Sequence, residues 1–101
     1  MQKTNLEFRK GILFIRLNNN LDNKLINKLI NEEGFKYLVF NINNLKYLNK
    51  RAINNILNYN NKLIHNNGKL ILCEDNNTIS RYIFKNKIPY ITKEIEAFDL
   101  I

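Results

Sequence analysis

The chain is poor in the residues that do chemistry. Its 101 residues include one histidine (His65), one cysteine (Cys73), one proline (Pro89), three glycines and no tryptophan. A single cysteine excludes an internal disulfide and fits a reducing compartment. With one Cys and one His, a conventional zinc site would need carboxylates, and no metal-ligand spacing is present. Gly11, Gly34 and Gly68 are isolated from one another, so no glycine loop is available to cradle a phosphate. His65 falls at the C-terminal end of a predicted helix beside two asparagines. That end carries partial negative charge, so the residue reads as a solvated helix-end histidine and not a catalytic base. Cys73 ends an apolar run with no histidine near it in sequence and reads as a buried structural thiol. Glu74 and Asp75 follow a strand, where α/β sheets place ligands, yet a solvated turn is the simpler reading. No catalytic residue, metal or cofactor is expected, and the chain does not read as an enzyme. An N-terminal signal and an apolar run of ~20 residues are also missing, which predicts a cytoplasmic protein with no membrane insertion.

Hydroxyls are scarce too: no serine or threonine occurs between Thr4 and Thr78. What fills the chain instead is asparagine, in runs such as Asn18-Asn19-Asn20 and Asn66-Asn67, with lysine and isoleucine. These three residues share AT-rich codons, and genome composition accounts for them without a functional polar tract. The asparagines are interleaved with regular apolar positions, which opposes disorder. With 45% hydrophobic and 25% charged residues, composition is close to globular averages and predicts a single domain over 1–101. Net charge is +7 and the pI about 9.6. The cations are spread along the chain and accompany no aromatic-basic motif, so no direct nucleic-acid partner is expected.

Hydrophobic periodicity divides the chain into alternating elements. Residues 5–9 and 12–17 are strand-like and meet at Lys10-Gly11, a tight hairpin turn. From Asp22, a good N-cap, Leu25, Ile26, Leu29 and Ile30 recur at helical spacing as far as Gly34. Residues 35–42, "FKYLVFNI", suit a central strand buried on both faces. A loop from Asn43 to Leu48 follows, then a helix from Asn49. Its stripe is Ala52, Ile53, Ile56, Leu57, Leu63 and Ile64, and it stops at Asn66-Asn67-Gly68. Residues 69–73 form the next buried strand. Thr78 caps a third helix carrying Ile79, Tyr82 and Ile83, which Pro89 forbids from continuing. Residues 90–91 make a short edge strand. Thr92 caps a last helix with Ile95, Phe98 and Leu100 or Ile101 inside. Strands alternating with helices predict an α/β fold with parallel pairing and a hairpin strand at the edge.

The order of elements and several segments resemble the STAS domain family, as in bacterial anti-sigma factor antagonists. "GILFIRLNNNLD" (11–22) resembles that family's second strand and the run into its first helix. "YLVFNINNLKYLNKRAINNIL" (37–57) is similar to its central strand, loop and second helix. "NNGKLILCE" (66–74) and "KIPYITKEIEAF" (87–98) resemble the following turn and strand and the terminal segment. The resemblance covers almost the whole chain. It implies a four- to five-stranded mixed sheet with about four helices, and a monomer that regulates transcription. Such a domain binds an anti-sigma factor, a serine kinase-like switch protein, and so releases a sigma factor.

In that family the helix after the central strand starts with an acidic residue, two hydroxyl or small residues and a glycine. The second hydroxyl is the serine that the kinase phosphorylates. The equivalent positions here are Asn49, Lys50, Arg51 and Ala52, so the phosphorylation-equivalent position is Arg51, which cannot take phosphate. The helix thus begins with two cations at the end where a helix disfavours them. Either lysine-rich drift or a partner with a matching acidic patch accounts for them. The expected partner-binding surface comprises Asn49, Lys50 and Arg51, with Asn54 and Asn55 on the next turn. Asp22 and Asn23 belong to it because they too follow a strand end. Two other readings stay open: a STAS subunit of an ABC-type membrane lipid-transport complex, and a small basic nucleic-acid-binding domain.

Overall fold

A computed structural model describes residues 4–19, 21–45, 48–75, 83–85 and 87–101. The chain begins with a hairpin of β1 (Asn5–Arg9) and β2 (Ile12–Asn19). Its two-residue turn puts Lys10 at φ 49° and Gly11 at φ 86°, the paired positive values that match the twist of antiparallel strands. Strands β3 (Tyr37–Leu45), β4 (Lys69–Cys73) and β5 (Tyr90–Ile91) then add in sequence order. The sheet runs β1-β2-β3-β4-β5, with β1 antiparallel to β2 and every other pair parallel. The short strand at 90–91 lies at the sheet edge, as expected.

Strand β3 is longer than the expected 35–42, and Asn43 to Leu45 are strand where a loop was expected. Asn44 and Leu45 pair with Asn18 and Asn19 after a register shift between Arg16 and Asn18. Asparagine is a weak strand former, so ladder bonding between the two extensions overrides local preference here.

Among the described residues, two helices and the segment with Phe84 and Ile88 cover one face. Helix α1 (Asn23–Asn31) is capped by Asp22, whose Oδ1 accepts from the Leu25 amide at 3.1 Å, and it buries Ile26, Leu29 and Ile30. Helix α2 (Lys50–His65) buries Ala52, Ile56, Tyr59, Asn60 and Leu63. They pack on Leu13, Ile15, Leu17, Leu38, Phe40, Leu70 and Leu72, the alternate positions of the three central strands. Ile64 was expected on this stripe but is 57% exposed. At 100° per residue the inward direction runs through 52, 56, 59 and 63, and Ile64 falls on a flank. The buried Asn60 amide donates to the Lys87 carbonyl at 3.3 Å and joins α2 to the segment before β5. The expected helix capped by Thr78, with Ile79 and Tyr82, lies outside the described residues, as does Tyr47; Ile83 is half-buried.

The opposite face buries Ile12, Phe14, Val39, Ile71, Cys73 and Ile91 under Ala97. Ala97 belongs to a 3-10 helix, Glu94–Asp99, which stands where an α-helix was expected. Three residues per turn stack Glu94 over Ala97, so the inward set differs from the expected one. Ile95, Leu100 and Ile101 are 69%, 40% and 44% exposed, while Phe98 packs on Phe14 with ring centroids 5.7 Å apart. Lys93 and not Thr92 is the N-cap residue, and the Thr92 hydroxyl donates to Glu96 Oε1 at 2.9 Å.

Glu94 clasps this helix to the sheet. Arg16 donates from Nε to Glu94 Oε2 at 2.9 Å and from Nη2 to Oε1 at 2.7 Å. The same guanidinium reaches Glu7 at 2.7 Å and Asn5 at 2.9 Å, and Asn41 donates to Glu94 at 2.9 Å. The Arg16 hydrogen bond holds the Glu94 carboxyl below the usual carboxylate range, and the bonds to Glu94 and Glu7 raise the Arg16 pKa.

Candidate surface at the start of helix α2

Leu48 is half-buried against the helix-side core and fixes where the chain enters α2. Asn49 is extended (φ −80°, ψ 175°), and its Oδ1 accepts from the Ala52 amide at 2.9 Å. This cap satisfies one of the amides that a helix start leaves unpaired. Buried Ala52 points inward, which leaves Lys50 and Arg51 exposed with no acidic residue in the first turn. Among the described residues neither cation forms an ion pair. Asn54 is exposed and Asn55 half-buried one turn further on. The structure therefore groups Asn49, Lys50, Arg51, Asn54 and Asn55 on one exposed stretch.

Asp22 and Asn23 belong to the start of the other helix, α1. Asn23 Oδ1 accepts from the hydroxyl of Tyr59, and Lys62 donates to Asn27 at 3.0 Å, so α1 runs beside the middle and end of α2. Tyr59 is nine residues beyond Lys50, about 14 Å along the axis. Burial, then the charge of Asp22, pushes the Tyr59 phenol up to about 12. Asp22 is occupied as a cap and Asn23 as a Tyr59 acceptor.

Neither helix contains an Asp or Glu, while the pair carries Lys24, Lys28, Lys50, Arg51 and Lys62. The ion pairs of Arg16 with Glu7 and Glu94, and of Arg9 with Glu7, lie on the other face. What this surface offers is fixed positive charge and amide hydrogen bonding. The Arg16–Glu94 clasp and the bond from the Asp75 amide to Asn43 Oδ1, 2.8 Å long, were missed in the sequence. A lone arginine in the otherwise apolar run 12–17 was the available signal for the first; the second had none.

A mixed sheet with one antiparallel edge strand, and a capped helix opening just beyond its central strand, is the STAS fold of anti-sigma factor antagonists. No family model matches the sequence, and no curated protein matches it either. Among solved structures, the unphosphorylated anti-sigma factor antagonist SpoIIAA is 20% identical with a TM-score of 0.77, over 97% of this chain and 96% of that one. Phosphorylated SpoIIAA of Bacillus gives 20% and 0.72, over 97% and 98%. TM1081 of Thermotoga maritima gives 11% and 0.80, over 98% and 88%. At such identities the likeness is one of fold. No helix among the described residues is long and apolar enough to cross a membrane.

Proposed function

We propose that this chain is a non-catalytic, cytoplasmic protein–protein regulator of the anti-sigma factor antagonist type that has lost the serine phosphoswitch. One observation carries the reading. At the start of α2, where the resemblance implies the switch serine, an asparagine cap presents the exposed Lys50 and Arg51. The fold it shares with both phosphorylated and unphosphorylated SpoIIAA supports the same reading. A phosphoserine there would add a dianion stabilised by the helix end. Two permanent cations reverse that charge, so the partner is an anti-sigma factor with an acidic contact patch, and kinase action cannot dissociate the complex at Arg51.

Calorimetric titration of candidate anti-sigma factors against the wild type and the Lys50→Ser/Arg51→Ser variant tests this. The double variant is expected to bind about 30-fold to several thousand-fold more weakly, corresponding to about 2–5 kcal/mol for desolvated charge pairs. Equal affinities would remove Lys50 and Arg51 from the contact. Detection of phosphate on residues 43–57 after incubation with a switch kinase would refute the loss of the switch.

A further inference from the structure

We propose that β1 is a self-complementary edge through which two copies of this chain pair into one continuous sheet. The inference starts from the hairpin register. Arg9 and Ile12 flank the two-residue turn, so they form the closing hydrogen-bonded pair, and pairs alternate from there. Glu7 with Phe14 and Asn5 with Arg16 are therefore hydrogen-bonded pairs, whereas Leu6 with Ile15 and Phe8 with Leu13 are not. The amides and carbonyls of Leu6 and Phe8 point away from β2, toward the open edge. None of the turn, loop and cap bonds among the described residues uses them.

Their side chains are open as well. Leu6 is 40% and Phe8 59% exposed, on the face where Phe8 meets Phe35 edge-on at 5.4 Å. Soluble proteins guard such edges with proline, a bulge or unpaired charge. β1 has no proline, and its register to β2 is unbroken. Its central charge is already neutralised within the subunit, since Glu7 contacts Arg16 at 2.7 Å and Arg9 at 3.5 Å. The other sheet edge, β5, is only two residues long.

A second copy fits this edge because the strand complements itself. An antiparallel two-fold centred on Glu7 puts Leu6 opposite Phe8 of the second copy, twice. Both pairs then sit where backbone groups point outward, which gives four new ladder bonds and apolar contact on one face. Asn5 falls opposite Arg9 on the other face. The two Glu7 residues meet at a non-hydrogen-bonded position, each flanked by its own arginines. Five residues a side make a small interface, so association is weak. It departs from the monomer that the family resemblance implies. Because β1 packs on β2 and α2 over β4, the α2 start stays open in each copy.

Light scattering after size exclusion, with the full chain, tests the pairing. The mass should rise toward twice 12.1 kDa at concentrations on the order of 100 μM and return to the monomer near ~1 μM. Leu6→Lys/Phe8→Lys sets like charges beside the edge and should stay monomeric at both, with an unchanged far-UV spectrum. Glu7→Cys adds a register test. Non-hydrogen-bonded partners have Cα atoms about 4.5 Å apart, within disulfide reach, so this variant should cross-link under mild oxidation. Asn5→Cys, which faces Arg9 of the second copy, should not. Cys73 is buried, and burial pushes its thiol up to about 12, so it stays silent. A monomeric mass at every concentration overturns the proposal. So does cross-linking of Glu7→Cys no faster than that of Asn5→Cys.

Discussion

Lys50 and Arg51 occupy a position that costs the fold something. Both project from the amide end of α2, whose first turn has no acid to offset them. Replacing both with serine should therefore stabilise the isolated domain by roughly 0.3–1 kcal/mol per cation at low salt, and less as salt screens the dipole. Thermal melts at low and physiological ionic strength check this. An upward shift in melting temperature together with weaker partner binding separates a functional pair of cations from drift, which predicts stabilisation alone. Asn49 is the opposite case, since its side chain caps the Ala52 amide and adds stability. Asn49→Ala should cost about 1 kcal/mol in denaturant melts.

Elements built on strong periodicity were legible in the sequence. β1, β2, α1, the span of α2 and β4 stand close to where alternation and helical spacing put them, although α2 buries Tyr59 and Asn60 where Ile64 was expected. The misses came where backbone pairing or a change of helix type overruled side-chain pattern. Asn43 to Leu45 read as a loop because asparagine is a poor strand former, yet the β2 extension supplies ladder bonds. The last helix read as α, and its 3-10 geometry turned Ile95 out and Ala97 in. The α2 start was legible because a capping asparagine precedes apolar helical spacing. Its distance from Asn23 was not, since that depends on how α1 slides along α2.

Two predictions belong at the element scale. Gly68 closes the turn from α2 into β4, where a Cβ would fall 2.1 Å from the Lys36 carbonyl oxygen. Gly68→Ala must displace backbone and should cost about 1–3 kcal/mol in denaturant unfolding. The second concerns acid. Glu94 is depressed in the folded state, so its contribution is complete above the unfolded carboxylate value of about 4.3 and disappears as pH falls through the lower folded value. Glu94→Gln should lose about 1.5 kcal/mol at neutral pH, the low end for a hydrogen bond to a charged group. The gap to wild type should close in melts carried below about pH 4. Glu96, also depressed, through the Lys93 amide and the Thr92 hydroxyl, leaves some acid dependence in the variant.

At the scale of the whole molecule, the net charge is +7. Glu7 and Glu94 pair with Arg16 on one face, while the bodies of α1 and α2 on the other carry cations and no carboxylate. Net positive charge attracts any polyanion, so the protein should bind nucleic acid weakly and with a steep salt dependence, by phosphate neutralisation alone. Fluorescence anisotropy with DNA duplexes of unrelated sequence checks this, and sequence-selective submicromolar binding at ~150 mM salt would refute it.

The clasp between Arg16 and Glu94 joins residues 78 positions apart, in a sheet whose strands otherwise pair only with their sequence neighbours. That arrangement orders events in time. The β1–β2 hairpin closes through a two-residue turn and each parallel pair through a single crossover, whereas the clasp requires nearly the whole chain to be in place and so forms after the main barrier. Loosening it should therefore act on the route out of the native state. In stopped-flow measurements Glu94→Gln should accelerate unfolding by about tenfold and leave the refolding rate almost unchanged, so the clasp sets how long the folded molecule lasts and not how fast it is made.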